Sequence, residues 1–406
     1  MVNDRKEGFN SPPNSNRRKH IALLILLFFV GGLNAEHEII KVTAEQKWPT
    51  EYLLYRFSDG SAFLDNENLY IGGKGEITVQ SRAASSKTDK IKLPVEHHEH
   101  LSYSKILIEK GVLTTFFHAP NGFNYICSYN LGTGQVAGPV RKHRFGGRIL
   151  RTANGKLAVA GLYRPLYEIY LDRYDDESLG YQTDLSKKMF KELYQASEAF
   201  SVTIYDDNLT RVDSAAILKR NCEDAEAFEL LQLMAPMDIS DNDIYILEHS
   251  EGYVVSVYDS SLVKANSLKI DNDQFLRVPL NLTQKAAQSM RRKERTHSKV
   301  YALFVQNQFI LCSFFQNREV GKGVIPPFYL DIIDKKGKQI LSTQFQYPVV
   351  MEDDLDKVFF LVVREGGWFE PDVVYLVGMT VEDILSGEAE KPAIDEAIDR
   401  FEGKNK

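Results

Sequence analysis

Between residues 96 and 100 the chain reads Glu96-His97-His98-Glu99-His100, imidazoles set among carboxylates. These are donors that suit zinc or copper, so His97, His98 and His100 could hold a divalent metal, although no cofactor is expected. Against this, zinc ligands normally sit at spacings fixed by a turn or helix, and neighbouring residues on an extended link point apart. A solvated loop is the competing expectation. Five other residues have the chemistry to line a pocket: His118, Arg148, Asp238, His249 and Arg364. His118 and His249 close apolar runs that read as second strands, which would place them near the mouth of a channel. For each alone, an ordinary surface or core polar role is the plainer reading.

The signatures of covalent and nucleotide chemistry are missing. The chain has no Gly-x-Ser-x-Gly elbow, and Cys222 stands beside Glu223 and Asp224, which disfavour a thiolate. Gly72-Gly73-Lys74-Gly75 is glycine-rich, but strand-like residues follow rather than a helix, so it reads as a hairpin turn and not a phosphate cradle.

What must position the candidate residues is a repeat. Six times a short polar turn precedes an apolar run of strand composition, as in Asn66-Glu67-Asn68 before Leu69, Lys110-Gly111 before Val112, and Asn154-Gly155-Lys156 before Leu157. The others are Asp241-Asn242-Asp243 before Ile244, Asn307-Gln308 before Phe309, and Asp356-Lys357 before Val358. The period is in the forties, with two longer gaps, which is the arithmetic of a β-propeller. The fourth unit shows four strands: Met237 to Ile239, Ile244 to Leu247, Val254 to Tyr258 and Asn266 to Ile270. Third strands end on a large residue followed by Asp or Asn, at Tyr129-Asn130, Tyr205-Asp206, Tyr258-Asp259 and Ile333-Asp334. Such a side chain can bond its own backbone two positions on and start a turn.

The expectation is an all-β six-bladed propeller of four-stranded antiparallel blades. The last unit lacks a fourth strand, so an N-terminal strand, Glu38 to Val42 or Glu51 to Phe57, should complete it and close the ring. A seven-bladed count follows instead if Tyr167 to Leu171 is a genuine third strand. Propeller topology puts first-to-second and third-to-fourth turns on one face, and these are short throughout. The long insertions, Leu162 to Ala199, Lys219 to Ala235, Asp271 to Ser298 and Glu319 to Pro327, fall on the other face. Two look partly helical, over Leu185 to Phe200 and from Thr283 through Met290 into Arg291-Arg292-Lys293. With its turns and strands, the chain resembles six-bladed propellers of the broad NHL-like and TolB-like type, especially exported bacterial ones of undefined function. The resemblance covers about Glu38 to Leu385 and implies a fold but no catalytic residues. There is no Tyr-Trp-Thr-Asp repeat and no Asp box, and Trp48 and Trp368 are the only tryptophans.

Arg17-Arg18-Lys19 ahead of the apolar run Ile21 to Val30 reads as an export signal, residues 1–35, too short for the roughly 20 residues that span a bilayer. Membrane contact follows only if that segment stays uncleaved. The rest divides into a propeller over residues 36–385 and a charged tail over 386–406. A formal charge of −7 for the whole chain argues against the concentrated basic surface that nucleic acid needs, so no nucleic-acid partner is expected. Cys127, Cys222 and Cys312 allow at most one disulfide, and Cys127 and Cys312 lie in strand-like runs that favour buried thiols. The expected role is an exported, non-catalytic module that binds a protein or extended ligand across its insertion-bearing face. The alternative is a metal-assisted hydrolase or lactonase at the channel mouth. The sequence sets no oligomeric state.

Overall fold

Six antiparallel sheets account for nearly all the regular structure in a computed structural model of the chain. It describes residues 37–43, 50–58, 60–73, 75–83, 87–92, 105–118, 124–143, 148–151, 154–162, 198–206, 210–219, 236–248, 253–276, 297–317, 327–353, 355–364 and 373–404. The candidate metal residues His97, His98 and His100, together with His249, Cys222 and residues 1–36, lie outside these. So do the helix expected from Thr283 and most of the one expected over Leu185 to Phe200, whose last three residues belong to a strand.

Blade one comprises β2 (Ala62–Leu64), β3 (Asn68–Gly72), β4 (Glu76–Ser81) and β5 (Thr88–Lys92). Blade two has β6 (Lys105–Glu109), β7 (Val112–His118) and β8 (Asn124–Asn130), with its outer edge split into β9 (Gln135–Val136) and β10 (Arg141–His143). Blade three contains β11 (Arg148–Arg151), β12 (Leu157–Leu162), β13 (Glu198–Tyr205) and β14 (Arg211–Lys219). In blade four these are β15 (Met237–Ser240), β16 (Asp243–Glu248), β17 (Val254–Tyr258) and β18 (Lys264–Lys269). β19 (His297–Val305), β20 (Phe309–Asn317), β21 (Phe328–Asp334) and β22 (Gln339–Phe345) build blade five. Blade six runs β23 (Val349–Glu352), β24 (Val358–Arg364) and β25 (Val373–Met379), and β1 (Glu38–Val42) pairs with β25 as its outermost strand. The first strands of the six blades pack on one another in a closed circuit, so the count is six and the seven-bladed alternative is overturned. The third strand of blade three is Glu198–Tyr205 rather than Tyr167 to Leu171.

The turn chemistry explains why the meander repeats. Asn130 accepts from Thr133 N, Asp206 from Thr210 N, Asp259 from Ser261 N and Val263 N, and Asp334 from Lys336 N and Lys338 N. Each is a short side chain closing the third-to-fourth turn on itself. Asp241 and Asn242 both take positive φ, the backbone that lets a two-residue hairpin follow strand twist, and Lys110-Gly111 does the same in blade two. Burial then grades outward. β17 is buried at every position because neighbouring blades cover both faces, whereas β18 exposes five of its six residues to solvent.

The core is therefore a series of seams between blades. The largest joins blades five, six and one, with separate clusters between one and two, three and four, and four and five. Two helices follow blade six. α2 (Val381–Leu385) opens on a capping box in which Thr380 and Asp383 bond reciprocally. α3 (Lys391–Phe401) occupies what the sequence offers as a charged tail; it buries Ile394, Ala397 and Ile398, the two isoleucines in the largest seam. Its charged residues made the stretch look like a tail; the apolar residues at i, i+3 and i+4 make it a packed helix.

Candidate functional site

The strand ends at which the candidate residues sit follow from the topology. In an antiparallel meander, the end of a second strand and the start of a first strand share one face. His118 closes β7, Arg148 opens β11 and Arg364 closes β24, so the fold brings all three to the face from which the long connections leave. They stand on blades two, three and six, spread around the ring rather than gathered in one place.

The described side chains among them are already engaged. Arg364 Nη1 donates to Asp399 at 2.7 Å and Glu402 at 3.2 Å, and Nη2 donates to the Asp395 carbonyl at 3.2 Å. Burial works against its charge, but the carboxylates of α3 outweigh burial and hold the guanidinium above its usual range. Tyr375 donates to Glu402, and Tyr347 donates to Asp395 at 2.8 Å, so Arg364 anchors a helix. Asp238 is similarly spent. Its Oδ2 accepts from Val305 N at 2.6 Å, tying the inner strand of blade four to that of blade five.

A helix that strand-based reading missed lies at this mouth. α1 (Thr50–Ser58) packs on β2, β19 and β23, the inner strands of blades one, five and six that wall the channel. Leu53, Leu54 and Phe57 are buried in the seam these blades share, and the Arg56 guanidinium donates to Gly72 O at the second-to-third turn of blade one. Of the two segments expected to complete blade six, Glu38–Val42 does so, and Glu51 to Phe57 is helical instead. The β propensity of Tyr52, Tyr55 and Phe57 favoured a strand, while the i, i+1, i+4 spacing of Leu53, Leu54 and Phe57 carried the helical signal.

The second missed cluster closes the ring. Arg82, at the end of blade one's third strand, donates to both carboxylate oxygens of Glu38 at 2.7 and 2.6 Å and to Asp353 at 3.0 Å. Lys357 also reaches Glu38 at 3.0 Å. Gln80, fully buried, accepts from Thr43 N and donates to Lys41 O, satisfying the exposed end of β1.

A buried carboxylate marks the seam between blades four and five. Asp331 is fully buried and receives the Asn272 amide on both oxygens at 3.0 Å, with Tyr253 and Cys312 against it. Burial raises its pKa above the ordinary aspartate value, partly offset by the nearby Ser342 and Tyr253 hydroxyls and the Asn272 amide. Burial likewise pushes the Cys127 thiol up to about 11, so it is not a nucleophile at neutral pH. Both Cys127 and Cys312 are free and buried, as their strand settings imply. Among the described residues no group of three His, Cys, Asp or Glu is placed to hold a metal ion.

No protein-family model and no curated protein sequence matches the chain. Among solved structures it is similar to the AfRom2 CNH domain, with 11% identity, 79% of this chain and 94% of that one covered, and a TM-score of 0.35. It is also similar to a putative TolB from Agrobacterium tumefaciens, with 8% identity, coverage of 70% and 80%, and a TM-score of 0.41. The N-terminal domain of Nup159 matches at 10% identity, with coverage of 85% and 78% and a TM-score of 0.36. These are distant likenesses of fold, and the chain is a six-bladed β-propeller to which they assign no family.

Proposed function

We propose that this chain is an exported, non-catalytic propeller that captures a protein or extended ligand through the face bearing its long connections. The observation that carries the reading is the asymmetry of the faces. First-to-second turns are short, two residues long between Ser240 and Asp243, whereas the ends of β12 and β14 open onto much longer connections on the opposite face. Loops mounted on a rigid scaffold are where recognition concentrates. α1 narrows the mouth on that face and Arg364 is committed to α3, which favours a docking surface over an acid-base pocket. The decisive experiment replaces residues 165–195 by a short glycine-serine linker and compares crosslinked partners captured from an envelope extract. Loss of a partner with an unchanged circular dichroism spectrum supports the reading; an unchanged set of partners rules out that connection as the docking element.

A further inference from the structure

The opposite face holds a recess that this reading does not use. A groove of about 760 Å³ runs between the outer parts of blades one and two. It is open at the β2–β3, β6–β7 and β8–β9 turns, the short-turn face. Its floor is apolar: Phe63, Val79, Ile91, Ile108 and Leu131 are all only half-buried, packed on the seam cluster beneath. Its rim carries Asp65, Glu67 and Asp89 against a single ammonium, Lys110. A second recess of about 390 Å³ continues past Glu67 and Asp89 toward Ser81, where Arg82 and Lys87 line it.

The groove is a built feature of the fold. Asp65 is held in place by accepting from Glu67 N at 2.8 Å and Asn68 N at 2.7 Å, so its carboxylate cannot swing away from the rim. The Tyr129 hydroxyl donates to Lys92 O at 2.6 Å and fastens blade two to the outer strand of blade one. The outer strand β5 is exposed at four of its five positions, so among the described residues that wall stands open. A volume in this range matches clefts that bury a small organic ligand or a few side chains of a peptide.

From the apolar floor and the surplus of carboxylates on the rim, we propose that this groove docks an extended peptide segment of a partner protein, one that alternates Lys or Arg with aliphatic or aromatic residues. The apolar side chains cover the floor, and the cations meet Glu67 and Asp89. Both are exposed, so their contribution falls as salt rises. The surface lies on the face away from the long connections and does not depend on them.

The test uses a fluorescein-labelled, amidated Lys-Leu-Lys-Phe-Lys-Leu peptide, the same peptide with Glu for Lys, and the purified full-length protein, read by fluorescence polarisation. The proposal expects the basic probe to bind and the acidic one not to. It expects Glu67→Lys with Asp89→Lys to weaken binding about tenfold or more, with Leu131→Ser also weakening it. The control pair Asp273→Lys with Glu396→Lys alters exposed carboxylates elsewhere and should leave binding unchanged. No binding of the basic probe overturns the proposal, and so does an equal loss in the control pair, which would mean general attraction to an acidic protein. Undiminished binding by Leu131→Ser overturns the apolar floor. A self-association detected by sedimentation and abolished by Glu67→Lys with Asp89→Lys assigns the groove to a second copy of this chain and overturns the peptide.

Discussion

Two neighbouring seams of the ring are built in opposite ways. Between blades six and one, Arg82 is nearly buried and clamped between Glu38 and Asp353, with Gln80 and Lys357 completing the contact. Between blades one and two the contact is mainly apolar, and its outer half stays open as the groove lined by Val79, Ile91 and Ile108. The difference is one of directionality. A buried guanidinium tolerates only the geometry that pairs it, so the seam that must close the ring cannot slide without stranding a charge. Apolar surfaces have no such register, and two blades joined by them can part at the outer edge without leaving a polar group unsatisfied.

The sharpest way to break the comparison is Arg82→Ala, which leaves the fully buried Asp353 side chain without its cation. Removing one partner of a buried pair costs about 3–5 kcal/mol, to be read as a lowered urea midpoint. Next is Gly378→Ala in the same blade. An added Cβ would meet the Phe359 ring at 2.6 Å, and overpacking of this kind costs about 1–3 kcal/mol by the same measurement.

A third seam sharpens the contrast, because the one between blades four and five buries the carboxylate of Asp331 among neutral groups. With a folded pKa above the unfolded value, the native state holds the extra proton. Its stability therefore falls as pH rises from the ordinary carboxylate value of about 3.9 through the raised one. Asp331→Asn should flatten that part of the urea midpoint against pH, and a slope unchanged from wild type would show that Asp331 does not titrate there. The smallest effect belongs to the open seam. Glu67→Lys with Asp89→Lys should leave the unfolding midpoint within about 0.5 kcal/mol of wild type, because both side chains are exposed.

The blades were legible because each is announced by chemistry within a few residues. Asp259 bonds to Ser261 N and Val263 N, and Asp334 to Lys336 N and Lys338 N, so a reader of the sequence sees the donor and acceptor side by side. The same locality placed His118 at the end of a second strand. It could not show that Arg364 is engaged, because Asp395, Asp399 and Glu402 belong to a helix disguised by its own charges. Nor could it show that Asp238 spends its carboxylate on Val305, 67 residues away.

By itself, then, the sequence determined the six-fold repeat, its turns and the strands between them, since backbone hydrogen bonds and Asx turns are satisfied by neighbours in the chain. The tertiary structure alone decided the rest. It chose Glu38–Val42 over residues 51–57 to complete blade six, because only a vacant sheet edge beside β25 tells two short apolar segments apart. It set α1 against the channel wall and matched Arg82 with partners 44 and 271 residues distant. Pairing and burial of that kind depend on which surfaces the closed ring brings together, and no local pattern encodes it.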